Sequence, residues 1–185
     1  MKLNASERKH EKKSETAALR RAGKIPAVLY SPGNPNALIH VDAAEFKAIL
    51  RGIKQGRLST TTFVLNIGNK ERKAIVKDIQ YHPTTYDVIH LDFQELIKGT
   101  SVSVKVPISC TGVADCVGIK LGGFLRQVIR TVKVECPSET IPSEFIIDVK
   151  DLGIRQTKRL SDLTMPKGVK PLAAMKEVLV VIARR

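Results

Sequence analysis

Three polar side chains in two short segments have types and spacing that could do chemistry: Gln80 in "KDIQYHP", and His90 and Asp92 in "IHLDF". If the second segment is a strand, positions i and i+2 point to the same face, so His90 and Asp92 lie together while Leu91 and Phe93 face the core. A carboxylate beside an imidazole raises the basicity of that imidazole, as an acid–base pair requires. The surrounding sequence offers no nucleophile with a base of its own, which argues against catalysis by this pair.

The same groups suit contacts with RNA. Amide, imidazole and carboxylate groups can hydrogen-bond to base edges and to ribose hydroxyls. Asp92 is the most informative of the three, because a carboxylate on a basic surface does not neutralise phosphate. It can instead accept a hydrogen bond from a base amino group, a 2′-hydroxyl or His90 itself. Each of these side chains, taken alone, also fits an ordinary surface or turn position.

Positive charge is concentrated at the start of the chain. The sequence carries a formal net charge of +13 over 185 residues, and residues 1–24 contain eight basic and three acidic side chains. A surplus of this size predicts a polyanionic partner, either a nucleic acid or an anionic membrane surface. Tyr30 follows closely and could stack on a base or bond a phosphate. The basic side chains that could neutralise backbone phosphates are Arg8, Lys9, Lys12, Lys13, Arg20, Arg21 and Lys24.

Composition argues against several classes of protein. No run of about 18 apolar residues is present, which rules out a transmembrane helix. The opening residues lack the apolar stretch of a signal peptide, so we expect a cytoplasmic location. Cys110, Cys116 and Cys136 lack the CxxC spacing of a zinc site, and buried reduced thiols are the simplest interpretation. An enzyme that uses Cys110 or Cys136 stays as an alternative, although no Walker, Rossmann or HExxH motif is present.

The elements that must position these side chains are short. The segments "IPAVLY", "NALIHV", "TTFVLNI", "KAIVKDI" and "YDVIHLDF" are rich in β-branched residues and predict strands. "ETAALRRA" predicts a helix capped by Ser14 and ended at Gly23. "DAAEFKAILRG" predicts a second helix, in which Asp42 and Glu45 have capping-box spacing. We expect a small, mainly antiparallel sheet or barrel with two short helices.

The character of the sequence changes near residue 97. "SVSVKVPISC" alternates strictly, "GIKLGGFLRQVIRTVKVEC" predicts two strands around a Gly-Gly pair, and "EVLVVIA" predicts a closing strand. No helical pattern is recognisable there. We therefore predict a mainly β protein with a few short helices, composed of an N-terminal domain at residues 1–96 and a β-rich C-terminal domain at residues 97–185.

Three motifs together resemble those of a known family. "ALRRAGKIPAVLY" matches an LRxxGKxPAxxY arm, "DIQYHP" a D-[VI]-Q-x-H-P segment, and "HLDF" an H-[VIL]-D-F strand. In order and spacing they resemble the general stress protein CTC family of bacterial large-subunit ribosomal proteins, which bind 5S ribosomal RNA. The segments "VKVPISCTGVADCVGIKLGGFL" and "IPSEFIIDVKDLGI" look like the β-rich C-terminal domain of the long, two-domain members.

The resemblance implies a structural constituent of the large ribosomal subunit, not an enzyme. The N-terminal domain would be a six-stranded β-barrel seated on the widened minor groove of the loop E region of 5S rRNA. No cofactor is expected, apart from magnesium bound to the RNA. Lys77 stands where some members have glutamine, which favours a phosphate contact over a base contact there. Together with the charge pattern, the candidate RNA-binding residues are Arg8, Lys13, Arg20, Arg21, Lys24, Tyr30, Lys77, Gln80, His90 and Asp92.

The expected partners follow from the same resemblance. The N-terminal domain would bind 5S rRNA, and the C-terminal domain would contact 23S rRNA or neighbouring large-subunit proteins. The protein would be a monomer on the cytoplasmic ribosome, without a membrane partner. An accessory RNA-binding protein that acts off the ribosome is the alternative, because the barrel also resembles the anticodon-binding region of glutaminyl-tRNA synthetase. That alternative predicts that tRNA competes with 5S rRNA.

Overall fold

The structure is a computed structural model, and it describes residues 1–8, 13–33, 35–68 and 70–184. The candidate cations Lys9 and Lys12, and the side chain of Lys13, lie outside the described residues. The chain divides into two compact units, Met1–Thr100 and Ser101–Arg185. Among the described residues, no helix has both the length and the apolar character needed to cross a bilayer.

The N-terminal unit is a closed barrel with two helices. In chain order its elements are β1 (Lys2–Glu7), α1 (Lys13–Arg21), β2 (Lys24–Tyr30), β3 (Ala37–Asp42), α2 (Ala43–Gly52), a 3-10 turn (Leu58–Thr60), β4 (Thr62–Ile67), β5 (Lys70–Tyr81) and β6 (Val88–Glu95). The six strands close in the order β1-β3-β2-β6-β5-β4. Neighbouring strands are antiparallel, except that β1 runs parallel to β4 and β2 runs parallel to β6. The expected six-stranded barrel is confirmed.

Strand β1 is the barrel strand with the weakest signal in the sequence. Of its six residues, only Leu3 and Ala5 are buried. It is held by both of its neighbours, since Ala5 pairs with Val41 of β3 and with Ile67 of β4. The context of two adjacent strands, rather than the propensity of the segment itself, therefore makes it extended.

The interior of the barrel combines aliphatic side chains with three phenylalanines. Alternate residues of each strand point inward. Phe63 and Phe93 meet there edge to face, with ring centroids 6.1 Å apart. Phe46 of α2 joins the same core, with its ring centroid 6.4 Å from that of Phe63. All three side chains are fully buried, so α2 is fixed to the barrel through its apolar side.

The starts of the two helices agree only in part with the sequence patterns. Asp42 caps α2 as predicted, because its Oδ1 accepts hydrogen bonds from the N–H groups of Ala44 at 2.8 Å and Glu45 at 3.0 Å. Glu45 does not complete a capping box; its Oε1 instead accepts from the backbone and side-chain nitrogens of Asn4 in β1. Ser14, predicted to cap α1, lies inside the first turn of that helix, so this prediction is wrong.

The C-terminal unit contains two small sheets. Its elements are β7 (Ser101–Thr111), α3 (Val117–Lys120), β8 (Gly123–Gln127), β9 (Thr131–Pro137), β10 (Phe145–Asp148), β11 (Thr157–Arg159), a 3-10 turn (Leu160–Asp162), β12 (Lys170–Pro171) and β13 (Val178–Arg184). One sheet has four strands in the order β10-β7-β9-β12, and the other has three in the order β11-β13-β8. Alternate residues of β7, such as Val102, Val104 and Val106, are buried, as the alternating sequence predicts.

Two local predictions for this unit are wrong. The segment "GIK" belongs to α3 rather than to a strand. Strand β8 begins at Gly123, the second glycine of the pair, and β9 comes after it, so the two strands do not flank the pair. Gly118 lets α3 lie close to its neighbours, because a Cβ atom there would come 2.8 Å from Cγ2 of Ile182 and 2.9 Å from the carbonyl carbon of Gly153. A four-residue helix held by such tertiary contacts is too short to show helical periodicity.

Candidate RNA interface

Strands β5 and β6 place a group of polar side chains on the outer surface of the barrel. Gln80 pairs with His90, and Asp78 pairs with Asp92, so these four residues share one face of the sheet. Leu91, between the two β6 residues, is fully buried on the opposite face. His90 and Asp92 therefore point outward together, as their i, i+2 spacing predicts. We call Asp78, Gln80, His90 and Asp92 the polar face.

His90 and Asp92 are in direct contact. His90 Nδ1 lies 3.0 Å from Asp92 Oδ1, and the two side chains are 22% and 23% exposed. Among the described residues, Asp92 Oδ1 accepts no well-aligned hydrogen bond. The carboxylate is thus held against the imidazole, and Oδ1, the oxygen nearest the imidazole, is buried rather than open to solvent.

A β-bulge adds a cation beside the polar face. The register of β5 against β6 shifts between Val76 and Asp78, which makes Lys77 an extra residue that is exposed. Its Nζ donates to Oε1 of Gln94 at 3.1 Å. Gln94 is in turn the register partner of Tyr30 in the parallel neighbour β2. The bulge therefore brings Lys77 to the part of the outer surface where Tyr30 ends its strand.

Two arginines are anchored through Nε. Arg20, in the last turn of α1, donates to the carbonyl oxygen of Ile89 at 3.0 Å, next to His90 in the chain. Arg8 donates to the carbonyl oxygen of Ile39 at 3.1 Å. Burial lowers the pKa of the Arg8 guanidinium, and the positive charge of Arg20 lowers it further. Two like charges are thus held near one another, and an anion bound beside both would relieve their repulsion.

The remaining candidate residues extend this surface. Arg21 and Lys24 are exposed around the junction of α1 and β2. Tyr30 is 39% exposed at the end of β2. Lys13 begins α1, but its side chain lies outside the described residues. Arg21, Lys24 and Tyr30 all belong to the arm "ALRRAGKIPAVLY", for which the sequence predicted cations and an aromatic ring that could contact RNA.

His40, a half-buried residue of β3, lies on the outer side of the barrel. It pairs with Pro26 of β2 and with Ser6 of β1. Burial lowers the pKa of its ring, and the charges of Lys24 and Arg8 lower it further. Its Nδ1 is buried and has no hydrogen-bond partner in the described part of the chain. Burial and the two neighbouring cations therefore both disfavour the charged form of the His40 ring.

Comparison with known proteins identifies the family. The Ribosomal L25p family profile matches residues 3–93, and the profile of the ribosomal protein TL5 C-terminal domain matches residues 101–185. The chain belongs to the Ribosomal L25p family. A protein of Chlamydia trachomatis serovar L2 named "Large ribosomal subunit protein bL25" is 50% identical over all 185 residues of both chains. Proteins of the same name from Chlamydia muridarum and Chlamydia pneumoniae are 48% and 46% identical, again over both full lengths.

Membership of this family allows several predictions from the sequence to be compared with the matches. The resemblance read from the motifs is confirmed, including the long form with a second, β-rich domain, since both halves of this L25p-family chain match. Its relatives are named as ribosomal proteins, and the expectation of a structural protein rather than an enzyme is confirmed. A place on the cytoplasmic ribosome agrees with the same names.

The cysteines of this L25p-family protein have the properties of structural thiols. Cys116 and Cys136 are buried, and Cys116 Sγ donates to the carbonyl oxygen of Leu152 at 3.3 Å. Burial raises the pKa of the Cys110 and Cys136 thiols, so both are protonated and weakly nucleophilic at neutral pH. Within the described ranges, no group of three or more His, Cys, Asp and Glu side chains could hold a metal ion.

Proposed function

We propose that this L25p-family chain is a structural constituent of the large ribosomal subunit that binds the loop E region of 5S rRNA. The outer surface of β2, β5 and β6, together with the end of α1, would form the contact. The observation that carries the proposal is the polar face: Gln80, His90 and Asp92 share one surface, and the guanidinium of Arg20 is tied to the residue before His90.

Phosphate contacts would fix the position of the RNA. Arg8 and Arg20 each use Nε for a backbone carbonyl, which orients the planar guanidinium groups. Their mutual repulsion makes an anion between them favourable, and a phosphodiester is the anion that RNA supplies. Lys24 and Lys77 would add contacts of lower geometric precision, because a lysine behaves as a mobile point charge. Arg21 would add a further cation at the end of α1.

The polar face would supply the selectivity. Its donors and acceptors suit a wide minor groove, where base edges and 2′-hydroxyl groups are accessible. The carboxylate of Asp92 would accept from a base amino group or a 2′-hydroxyl, with His90 Nδ1 3.0 Å from its Oδ1. Gln80, directly across the strand pair from His90, would add an amide that can both donate and accept.

The test is a salt-titrated binding assay of the full chain on 5S rRNA, with tRNA as competitor. We expect His90→Ala/Asp92→Ala to lose about 1–3 kcal/mol of binding free energy, as for other direct base contacts. Lys2→Ala/Glu71→Ala is the matched control, because it also removes one surface ion pair, with 3.5 Å between its charged atoms. Equal binding of 5S rRNA and tRNA, with an unaffected double variant, would reject the proposal and leave only a nonspecific basic surface.

We further propose that the C-terminal unit binds rRNA of the large subunit, and 23S rRNA is the expected partner. Lys105 and Lys133 are exposed and directly opposite each other across β7 and β9. Like charges in this position destabilise an isolated sheet. The backbone of an RNA strand is a partner that would compensate both charges at once.

A further inference from the structure

A cleft opens in the N-terminal unit where the end of α1, the start of α2 and the turn between β5 and β6 meet. Its volume is about 370 Å³, within the range of small-ligand sites. Ile25, Val88 and Ile89 give it apolar walls. Its polar lining consists of Arg20, Lys24, Lys47, His82, Thr85 and Asp87.

Positive charges outnumber negative charges in the lining of the cleft. Lys47 Nζ and Asp87 Oδ1 form an ion pair at 2.6 Å, so these two side chains largely neutralise each other. Arg20 and Lys24 then leave the cleft positive. A ligand with a single anionic group and a larger apolar or aromatic body matches a cleft of this composition.

His82 is one of the residues that line this cleft. Its Nδ1 lies 3.4 Å from the backbone N–H of Thr84 and 3.3 Å from that of Thr85, and it accepts from both. A neutral imidazole that accepts at Nδ1 carries its proton on Nε2. The turn itself fixes the tautomer of His82, which leaves Nε2–H as a donor.

Tyr86 lies in the same turn, between two residues that line the cleft. Its side chain is 78% exposed, the most exposed tyrosine of the chain. Its φ is +55°, a conformation that is unfavourable for an aromatic residue. The turn is held by hydrogen bonds from Tyr86 N to His82 O at 2.9 Å and from His82 N to Asp87 O at 2.7 Å. An exposed aromatic ring at a strained position, beside a positive cleft, has the properties of a stacking platform for a base.

We propose that this cleft and Tyr86 hold one unstacked nucleotide of an RNA strand. The base stacks on Tyr86, its edge accepts from His82 Nε2, and its phosphate lies against Arg20 and Lys24. The inference rests on the proposed function in one respect, since Arg20 also belongs to the proposed 5S rRNA contact. It adds a separate site, in which recognition depends on an aromatic ring rather than on the polar face.

Two substitutions of Tyr86 separate binding from folding. Tyr86→Asn removes the ring but suits a positive φ, because asparagine tolerates the left-handed region. Its melting temperature should equal or exceed that of the wild type, so that weaker binding is not a result of unfolding. Tyr86→Phe keeps the ring and is the matched control.

The experiment measures affinity of the full chain for 5S rRNA across a salt series, together with acylation of the RNA 2′-hydroxyls at nucleotide resolution. Tyr86→Asn should bind about tenfold more weakly with an unchanged salt slope, since no charge is lost, and Tyr86→Phe should bind as the wild type does. One or two nucleotides protected by the wild type and by Tyr86→Phe should become reactive with Tyr86→Asn.

The inference is overturned if Tyr86→Asn binds like the wild type, if Tyr86→Phe loses as much affinity as Tyr86→Asn, or if no nucleotide changes its reactivity. These results leave the proposed function intact when His90→Ala/Asp92→Ala still loses its preference for 5S rRNA. If 5S rRNA and tRNA instead bind equally, the proposed function fails. The dependence on Tyr86 is then measured in the same way on whichever RNA binds.

Discussion

Asp78 and Asp92 are directly opposite each other across β5 and β6, on the outer surface of the barrel. Two carboxylates in this position repel one another, and such pairs destabilise a sheet. Asp78→Asn should therefore raise the free energy of unfolding of the free protein by about 0.2–1 kcal/mol. Urea denaturation at low ionic strength measures this difference, and added salt should reduce it. An unchanged or lower stability would show that the repulsion is already compensated.

Arg20 is expected to contribute both charge and geometry. Arg20→Ala removes one phosphate contact and should reduce the slope of log K against log[salt] for 5S rRNA by about one. Arg20→Lys should keep most of the slope but lose affinity, because a lysine cannot reproduce the planar group anchored on Ile89. Arg51→Ala removes an arginine from the last turn of α2 and serves as the control. Equal losses for Arg20→Ala and Arg51→Ala would mean that only net charge matters.

His40 should make stability depend on pH. Its pKa is lowered in the folded state by burial and by Lys24 and Arg8, so the unfolded chain binds the proton more readily. The free energy of unfolding is therefore highest above the ordinary histidine pKa. It decreases as the pH falls through that value toward the lowered pKa of the folded protein. His40→Gln should be less sensitive between pH 7 and pH 5 than the wild type, as measured by urea midpoints. Identical pH profiles would contradict this assignment.

Gly118 should be intolerant of a side chain. A Cβ atom at this position would approach Cγ2 of Ile182 to 2.8 Å and the carbonyl oxygen of Leu152 to 2.9 Å. Gly118→Ala should lower the free energy of unfolding of the C-terminal unit by about 1–3 kcal/mol, as overpacking does elsewhere. Gly52→Ala is the control, since no atom lies within 4 Å of its ideal Cβ. Thermal denaturation of both variants gives the comparison, and equal melting temperatures would reject the steric argument.

The lysine pair of the C-terminal unit gives a separate prediction. Lys105→Glu should stabilise the sheet of the free protein, because it turns a repulsive cross-strand pair with Lys133 into an attractive one. The same change should weaken retention of the protein on large subunits washed with increasing salt. Lys150→Glu, which reverses another exposed charge in this unit, is the control. Greater stability with unchanged retention would show that this lysine pair does not contact RNA.

The sequence predicted those features of the candidate interface that follow from strand period and residue type. The alternation of side chains along a strand is enough to predict that His90 and Asp92 share one face. The position of Asp42 just before a helical pattern is enough to predict that it caps the helix. Lys77 was assigned by resemblance, but its outward position depends on a bulge, which no local pattern in "AIVKDIQ" reveals. His40 was missed because its environment is created by cations that are distant in sequence. Tyr86 was missed because its exposure and positive φ depend on the closed turn.

The parallel pairs of the barrel have a consequence for its formation during synthesis. β1 cannot complete its pairing until Ile67 has been made, and β2 lacks one neighbour until β6 is available. The surface proposed to contact RNA combines Tyr30 with His90 and Asp92, so it comes into being only when the last barrel strand docks against the second. A partly made chain would expose open sheet edges and present the basic arm without its polar face. RNA binding that depends on this surface therefore requires a barrel that has already closed.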